Sequence, residues 1–244
     1  MRPMSEDAPL VIEAVEKQYG GLRPLRLRSL RVPGGALVAL TGLDAPAAEM
    51  FTNLATGAIL PDRGDVRLFG RSTADVTEAD DWLGGLDRVG ILTDRAVLIE
   101  GYTAAQNLAM PLTLDVDPLT GDLRRSAAAL AADVGLAEAT LDRPIAALRA
   151  AEKLRIRFGR ALALAPALIL MEHPTASLEG DEVAAFARDV RRVFRSRALA
   201  GVVVTADRAF ASAAASEVLQ LRAADGELVP ARGIRDRIGR LLGR

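Results

Sequence analysis

The chain has 244 residues, half of them hydrophobic and only 4% aromatic, so its core must be built mainly from alanine, leucine and valine. A formal net charge of −1 removes a global electrostatic case for nucleic acid. The lack of cysteine excludes disulfides and thiol chemistry, and a single histidine among scattered carboxylates forms no ligand cluster for a metal.

Met1 to Pro9 carries Glu6 and Asp7 and lacks the apolar core of a signal peptide. No run approaches the length needed to span a bilayer, so the expected location is the cytoplasmic side. Residues 10–15 and 25–32 read as strands, the second alternating apolar and basic residues as a half-exposed antiparallel strand does. Residues 36–40, 168–171 and 201–205 are continuous apolar runs, the pattern of strands covered on both faces of a parallel sheet. Met50, Phe51 and Leu54 fit the inner face of a helix after the first of these runs. Turns are marked at Pro33-Gly34-Gly35 and Pro61-Asp62-Arg63-Gly64. An alanine-rich helical region at about 123–165 is broken at Gly135 and Pro144. Asp181 to Arg195 forms an amphipathic helix, with Val183, Phe186, Val190, Val193 and Phe194 on one face. Finally, Gly233 to Arg244 sets Ile234, Ile238, Leu241 and Leu242 at helical spacing among four arginines. Such a tail suits a surface helix on anionic lipid or a partner, or a terminal helix weakened by Gly239 and Gly243.

The stretch from Leu40 to Met50 lies between strand and helix, where a phosphate-binding loop carries G-x-x-x-x-G-K-[ST]. Gly42 begins that pattern, but Ala47 replaces its second glycine, Ala48 its lysine and Glu49 its hydroxyl. The loop's chemistry depends on backbone N–H groups and a helix N-terminus facing the anion, with lysine as a point charge. Without the lysine, charge-assisted contacts of roughly 1.5–3 kcal/mol each are missing. Glu49, read as a first-turn carboxylate favoured by the helix dipole, occupies the field a phosphate would use. A like charge about 4 Å away costs about 1 kcal/mol in water and about 4 at an effective dielectric of about 20. Ala47 and Ala48 favour a helix start, Pro46 reads as a turn residue without a backbone donor, and Asp44 is a candidate N-cap.

Further motifs follow the same order. Gly64-Asp65-Val66-Arg67-Leu68-Phe69-Gly70 is similar to a "G-x-V-x-L-x-G" hairpin, and Val89 to Asp94 to a segment that normally ends in glutamine. Thr103 to Leu112 matches "T-V-x-E-N-V-x-x-P-L", and Leu148-Arg149-Ala150-Ala151-Glu152 stands where L-S-G-G-Q is expected. Leu168 to Thr175 resembles "L-L-L-L-D-E-P-T", with Ala176 to Glu179 after it, and Val202 to Asp207 a switch strand. Over residues 9 to 228 the chain therefore resembles the nucleotide-binding subunit of an ATP-binding-cassette (ABC) transporter. That resemblance implies an α/β, P-loop NTPase-like core with a mainly parallel sheet, an N-terminal antiparallel β-subdomain and a helical subdomain at about 95–160. Residues 229–244 form the basic tail.

Every nucleotide motif in the resemblance is degenerate. Asp94 stands for the Q-loop glutamine, Glu172 for the magnesium-associated aspartate, His173 for the catalytic glutamate and Ala206 for the switch histidine. Tyr19 matches the aromatic that stacks on adenine, or is a strand-end residue packing on the loop beneath it. Gly42, Asp44, Ala47, Ala48, Glu49 and Met50 complete the degenerate ATP site. Glu152 is expected to bring negative charge toward a partner's triphosphate, and Asp94, Arg95, Leu98, Ile99 and Tyr102 to face a membrane subunit.

The expectation is a catalytically inactive pseudo-ATPase that needs no cofactor, partnered by a permease and by a second cassette or a second copy of itself. An alternative is an unorthodox ATPase, with Glu172 on magnesium through water and His173 as general base. The competing reading of His173 is a neutral, hydrogen-bonded residue at a strand end. A stand-alone adaptor is the third possibility.

Overall fold

A computed structural model describes residues 8–21 and 23–231. The chain begins with β1 (Leu10–Lys17), β2 (Leu25–Val32), β3 (Leu37–Thr41), α1 (Ala45–Ala55), β4 (Arg63–Leu68), β5 (Arg71–Ser72) and α2 (Ala79–Leu86). It continues with β6 (Val89–Leu92), α3 (Ala104–Ala109), α4 (Gly121–Asp133), α5 (Ala150–Leu162) and β7 (Leu168–Glu172). It closes with α6 (Gly180–Arg197), β8 (Ala200–Val204), α7 (Arg208–Ala214), β9 (Glu217–Arg222) and β10 (Glu227–Pro230).

Two sheets result. One is antiparallel, in the order β2-β1-β4-β5. The other runs β10-β9-β3-β8-β7-β6 and is parallel except for its edge strand β10. β3, β7 and β8 are buried along their whole length, which is why they read as unbroken apolar runs. Their side chains divide between two cores. Val38, Leu40, Leu168, Leu170, Val202 and Val204 join Phe51, Leu54 and the antiparallel sheet. Leu37, Ala39, Ile169, Met171 and Val203 join α3 to α7 on the other face. Strand alternation thus fixes which residues support the loop helix and which support the helical layer.

The alanine-rich region is two helices, α4 and α5, separated by short 3-10 turns around residues 138–147. α2 and α3 carry no signal strong enough to be read from periodicity. α3 is only six residues long but is closed by a capping box, in which Thr103 Oγ1 and Gln106 Oε1 accept each other's backbone N–H. The helical layer is keyed by Phe186, with Phe158 edge-on and Phe210 stacked, each 5.8 Å away between ring centroids. Gly90 on β6 must be glycine, because a Cβ there would lie 2.2 Å from the Ala161 carbonyl oxygen of α5. No helix among the described residues is long and apolar enough to cross a membrane. The expected tail helix, Gly233 to Arg244, lies outside the described residues.

Phe186→Ala is expected to lower unfolding free energy by about 3–5 kcal/mol, because it empties the centre of that aromatic cluster. Leu114, 91% exposed, should tolerate alanine with a change of less than about 0.5 kcal/mol. Denaturant titration of both variants checks the contrast.

Candidate functional site

The loop after β3 opens on a glycine in the left-handed region and closes on the N-cap of α1. Gly42 has φ +90°, and a Cβ there would lie 3.0 Å from the Leu221 carbonyl oxygen, so the first glycine is structurally required. Asp44 is the N-cap of α1, its Oδ1 accepting the Ala47 N–H at 3.0 Å. One of the helix's free donors is therefore already used. Pro46 belongs to the first helical turn rather than to a turn before it, where its missing N–H is harmless. Ala47 and Ala48 are buried, and Met50 packs against the core.

Glu49 departs from expectation. It is the fifth residue of α1, beyond the first turn, so the helix dipole does not explain it. Its carboxylate lies 3.4 Å from the guanidinium of Arg95.

Arg95 follows β6 and reaches the end of β7 as well. Its Nη1 lies 2.8 Å from Glu172 Oε2, and its Nη2 donates to Glu172 Oε1 at 3.0 Å. Thr93 Oγ1 donates to Glu172 Oε2 at 3.1 Å. The Glu172 side chain is only 5% exposed, a position where an unpaired carboxylate would be strongly destabilising. Magnesium in P-loop NTPases is held by the loop hydroxyl and the Walker B carboxylate. Here those two positions are both glutamates, and Arg95 joins them.

His173 is the next residue, with φ +40°, a sparsely allowed backbone for a side chain of this kind. Its N–H donates to the Val204 carbonyl at 2.8 Å, but its Nε2 is buried and has no hydrogen-bond partner. The expected hydrogen-bonded histidine side chain is corrected on that point. Arg95, Glu172, His173, Arg157 and Ser177 share the lining of a cavity of about 470 Å³. Ala206 is exposed and makes no side-chain contribution there. Its neighbour Asp207 was overlooked: it caps α7 through Phe210 N–H and accepts Thr175 Oγ1 at 3.0 Å, tying the ends of β7 and β8 together. An aspartate three residues before a buried phenylalanine is a readable N-cap signal.

On the other side of the loop, Tyr19, Arg23, Arg26, Gly42 to Asp44, Pro46 and Ala47 line a cleft of about 660 Å³. Burial pushes the Tyr19 hydroxyl up, and the Asp44 charge adds to it, so the phenol stays neutral. The two cavities flank the loop and put basic and aromatic groups on one side and the Arg95 bridge on the other.

The signature-like segment also turns inward. Leu148 is buried, and Arg149 precedes α5, which starts at Ala150 with Ala151 in its first turn. Glu152 accepts the Arg149 N–H at 2.9 Å and Arg143 Nη1 at 3.0 Å. Its charge is therefore satisfied within the chain instead of projecting toward a partner, and the group left 74% exposed is the Arg149 side chain. Burial pushes the Glu152 carboxyl up, but the backbone hydrogen bond and both guanidinium charges outweigh it and hold the carboxyl low.

Among the expected docking residues, Asp94 and Ile99 are exposed and Tyr102 is half-buried. Leu98 is core, only 7% exposed, and Arg95 uses its charge internally. Val97, 74% exposed, was missed; it is more exposed than Ile99, at 38%. Among the described residues no group of three or more histidines and carboxylates gathers as a metal site.

The strand order, the loop between β3 and α1 and the carboxylate at the end of β7 define a P-loop NTPase-like α/β protein of the ABC cassette type. No protein-family model matches the chain. Curated relatives include the lipoprotein-releasing system ATP-binding protein LolD of Maricaulis maris, 28% identical over 228 residues, which span 92% of this chain and 97% of LolD. The methionine import ATP-binding protein MetN of Brucella abortus is 28% identical over 179 residues, or 73% of this chain and 48% of MetN. The same fold occurs in the dimeric ATP-binding cassette MJ0796 bound to ADP and Pi, with 22% identity and a TM-score of 0.74 over 92% of this chain and 100% of that one. It also occurs in cbiO1 of Clostridium perfringens, part of the transporter complex cbiONQ, with 14% identity and a TM-score of 0.77 over 95% and 90%. The chain is thus a relative of ABC transporter ATP-binding subunits, with their cassette fold.

These relatives overturn the expectation that no cofactor is used. They are ATP-binding proteins by name, and a cassette of the same fold was solved with ADP and Pi. The reading without a cofactor is therefore withdrawn.

Glu152→Gln should lower stability at neutral pH by about 1.5 kcal/mol, because it removes a charged acceptor. A carboxyl held low in the fold stabilises it above the ordinary value of 4.5, and that contribution is lost as pH falls through the lowered value. The gap between variant and wild type should therefore close on acidification below 4.5, as read by urea titrations across pH.

Proposed function

We propose that this chain is the nucleotide-binding-domain subunit of a membrane transport complex, seated on a permease at the cytoplasmic face, and that it takes ATP as a ligand without hydrolysing it at its own site. The Arg95 bridge carries this reading. The Tyr19 cleft, with Arg23 and the backbone from Gly42 to Ala47, suits a nucleoside and its inner phosphates. The far end does not fit a metal-bound terminal phosphate: position 48 is a buried alanine, and Glu49 and Glu172 already engage Arg95. No hydrolytic step is derived through it.

The partner surface is a groove of about 260 Å³ lined by Ile91, Ala96, Pro111, Leu164, Arg157 and Arg160. Val97, Leu112 and Leu164 stand exposed around it. Neither arginine has a carboxylate partner among the described residues, and each instead donates to a carbonyl of the 96–97 segment. Desolvation pushes the Arg160 guanidinium down, and the Arg157 charge adds to that. The fitting occupant is a cytoplasmic segment of a permease with an apolar stripe and at least one carboxylate. A second cassette, or a second copy of this chain, completes the complex, as in the dimeric relative of the same fold.

One observation favours a second reading. His173 lines the same cavity as Glu172 and its buried Nε2 has no partner within the described residues, which suits an unorthodox ATPase with His173 as general base.

ATP turnover by the isolated chain should stay at background in a phosphate-release assay. Turnover that His173→Ala abolishes would install the ATPase reading instead. Ala48→Lys with Glu49→Ser should raise ATP affinity at least about tenfold by calorimetry, since it restores a charged donor and removes a carboxylate.

Arg157→Glu with Arg160→Glu should release a permease, identified by its spanning helices, from detergent-solubilised complexes. Recovery of the wild-type chain alone and monomeric would favour the adaptor reading.

A further inference from the structure

The chain has one tryptophan, and it lines a cavity that neither the nucleotide reading nor the partner groove uses. The cavity holds about 250 Å³ and lies where the end of α1, the β4–β5 hairpin and α2 meet. None of its lining residues belongs to the cavities beside the loop after β3 or to the groove at Leu164. Trp82 of α2 is fixed by a hydrogen bond from its Nε1 to the Thr56 carbonyl at 3.0 Å. Phe69 stands at the hairpin turn with a φ of +50°, an outlier for a bulky side chain. The Arg88 guanidinium lies over its ring, 3.8 Å from the ring centre.

Charge selects what such a cavity can take. Two guanidiniums, Arg71 and Arg88, and one carboxylate, Asp81, line it, so these groups sum to one positive charge. Arg71 is committed: it donates to Asp81 Oδ2 at 2.9 Å and to the Asp75 carbonyl at 3.1 Å. Among the described residues the Arg88 guanidinium has neither a carboxylate nor any other hydrogen-bond acceptor. A guanidinium stacked by one face keeps its in-plane N–H fork available, and that fork grips a carboxylate with two bonds. Thr73, buried in the same lining, adds an Oγ1 that has no hydrogen-bond partner. The volume falls below the roughly 300–1,000 Å³ of sites for drug-sized ligands, so it suits a single ring and not a nucleotide. The helix beside it is poorly secured. α2 has eight residues, no buried side chain and no side-chain hydrogen bond at its N-cap. Its Gly84 and Gly85 both line the cavity, where a Cβ at either would meet nothing within 4 Å.

We propose that this cavity is a binding site for a small aromatic monocarboxylate, whose carboxylate pairs with Arg88, whose ring packs on Trp82, and whose binding orders α2. The site is independent of the subunit reading, so the failure of either leaves the other standing.

Trp82 makes the test direct, because its fluorescence in the full chain reports on the cavity alone. Benzoate is the probe, with neutral benzamide as its match in shape. Up to about 20 mM, where a one-ring ligand of ordinary efficiency saturates, benzoate should give a saturable change. Benzamide should bind at least about tenfold more weakly, and Arg88→Met should weaken benzoate by about tenfold, the loss of one charge-assisted contact. Arg88→Lys, which keeps the charge but not the fork, should fall between. Benzoate should also slow hydrogen–deuterium exchange severalfold across residues 79–86 and leave residues 200–204 unchanged as a fold control. A linear, unsaturable response would mean collision in solution only and would overturn the site. Equal affinity for benzoate and benzamide in the wild type, or undiminished benzoate binding by folded Arg88→Met, would overturn the carboxylate assignment. Unchanged exchange across residues 79–86 at saturation would overturn the ordering of α2.

Discussion

A carboxylate held almost out of solvent at the end of a central strand must find positive charge, and the architecture of this site follows from how that demand is met. Glu172 terminates β7, which is covered on both faces, so its charge cannot turn to water. The cation comes from Arg95, at the start of the segment after the neighbouring strand β6. That choice fixes the direction of the segment, brings Glu49 into the same bridge and determines the shape of the cavity beside His173. In a protein that relies on a metal here, the compensating charge arrives with the ligand. In this chain part of it is built in.

The same solution recurs at the helical layer. Glu152, at the start of α5, is screened by Arg143 and Arg149 and accepts the backbone N–H that begins the helix. Arg155 pairs with Asp189 between α5 and α6 at 2.9 Å, with both side chains mostly buried. Charges that the motif positions would place outward are satisfied within the chain. Among the outward groups are the Arg149 side chain at the start of α5 and the groove edged by Val97 and Leu164. A surface of that kind is suited to contact with partners more than to small anions free in solution.

How much of this was legible follows from the range of each interaction. The parallel strands were, because burial on two faces removes polar residues and leaves unbroken runs such as Val38 to Leu40. The order of motifs identified the cassette architecture. The capped start of α1 was open to inspection too, since Asp44 and the residues after it act within one turn. The pairing of Arg95 with Glu172 was not legible, because the two are 77 residues apart and nothing local marks an arginine that reaches a buried carboxylate. Glu49 was misread for a smaller reason: moving the helix start back to Ala45 takes it out of the first turn and changes its partner from a dipole to a guanidinium. Leu98 and Val97 were exchanged because adjacent residues in an irregular segment have no periodicity to separate them.

Loss of the lysine and gain of the arginine are best understood together. A lysine at position 48 would start from a fully buried site and would add a second cation near Arg95. With Glu49 and Glu172 both negative, one guanidinium leaves the cluster of three groups at −1, and an added lysine would bring it to neutrality. The site as it stands is therefore short of one positive charge. A nucleotide entering from the Tyr19 cleft must bring that charge with it as a metal ion, or leave its terminal phosphate away from the carboxylates.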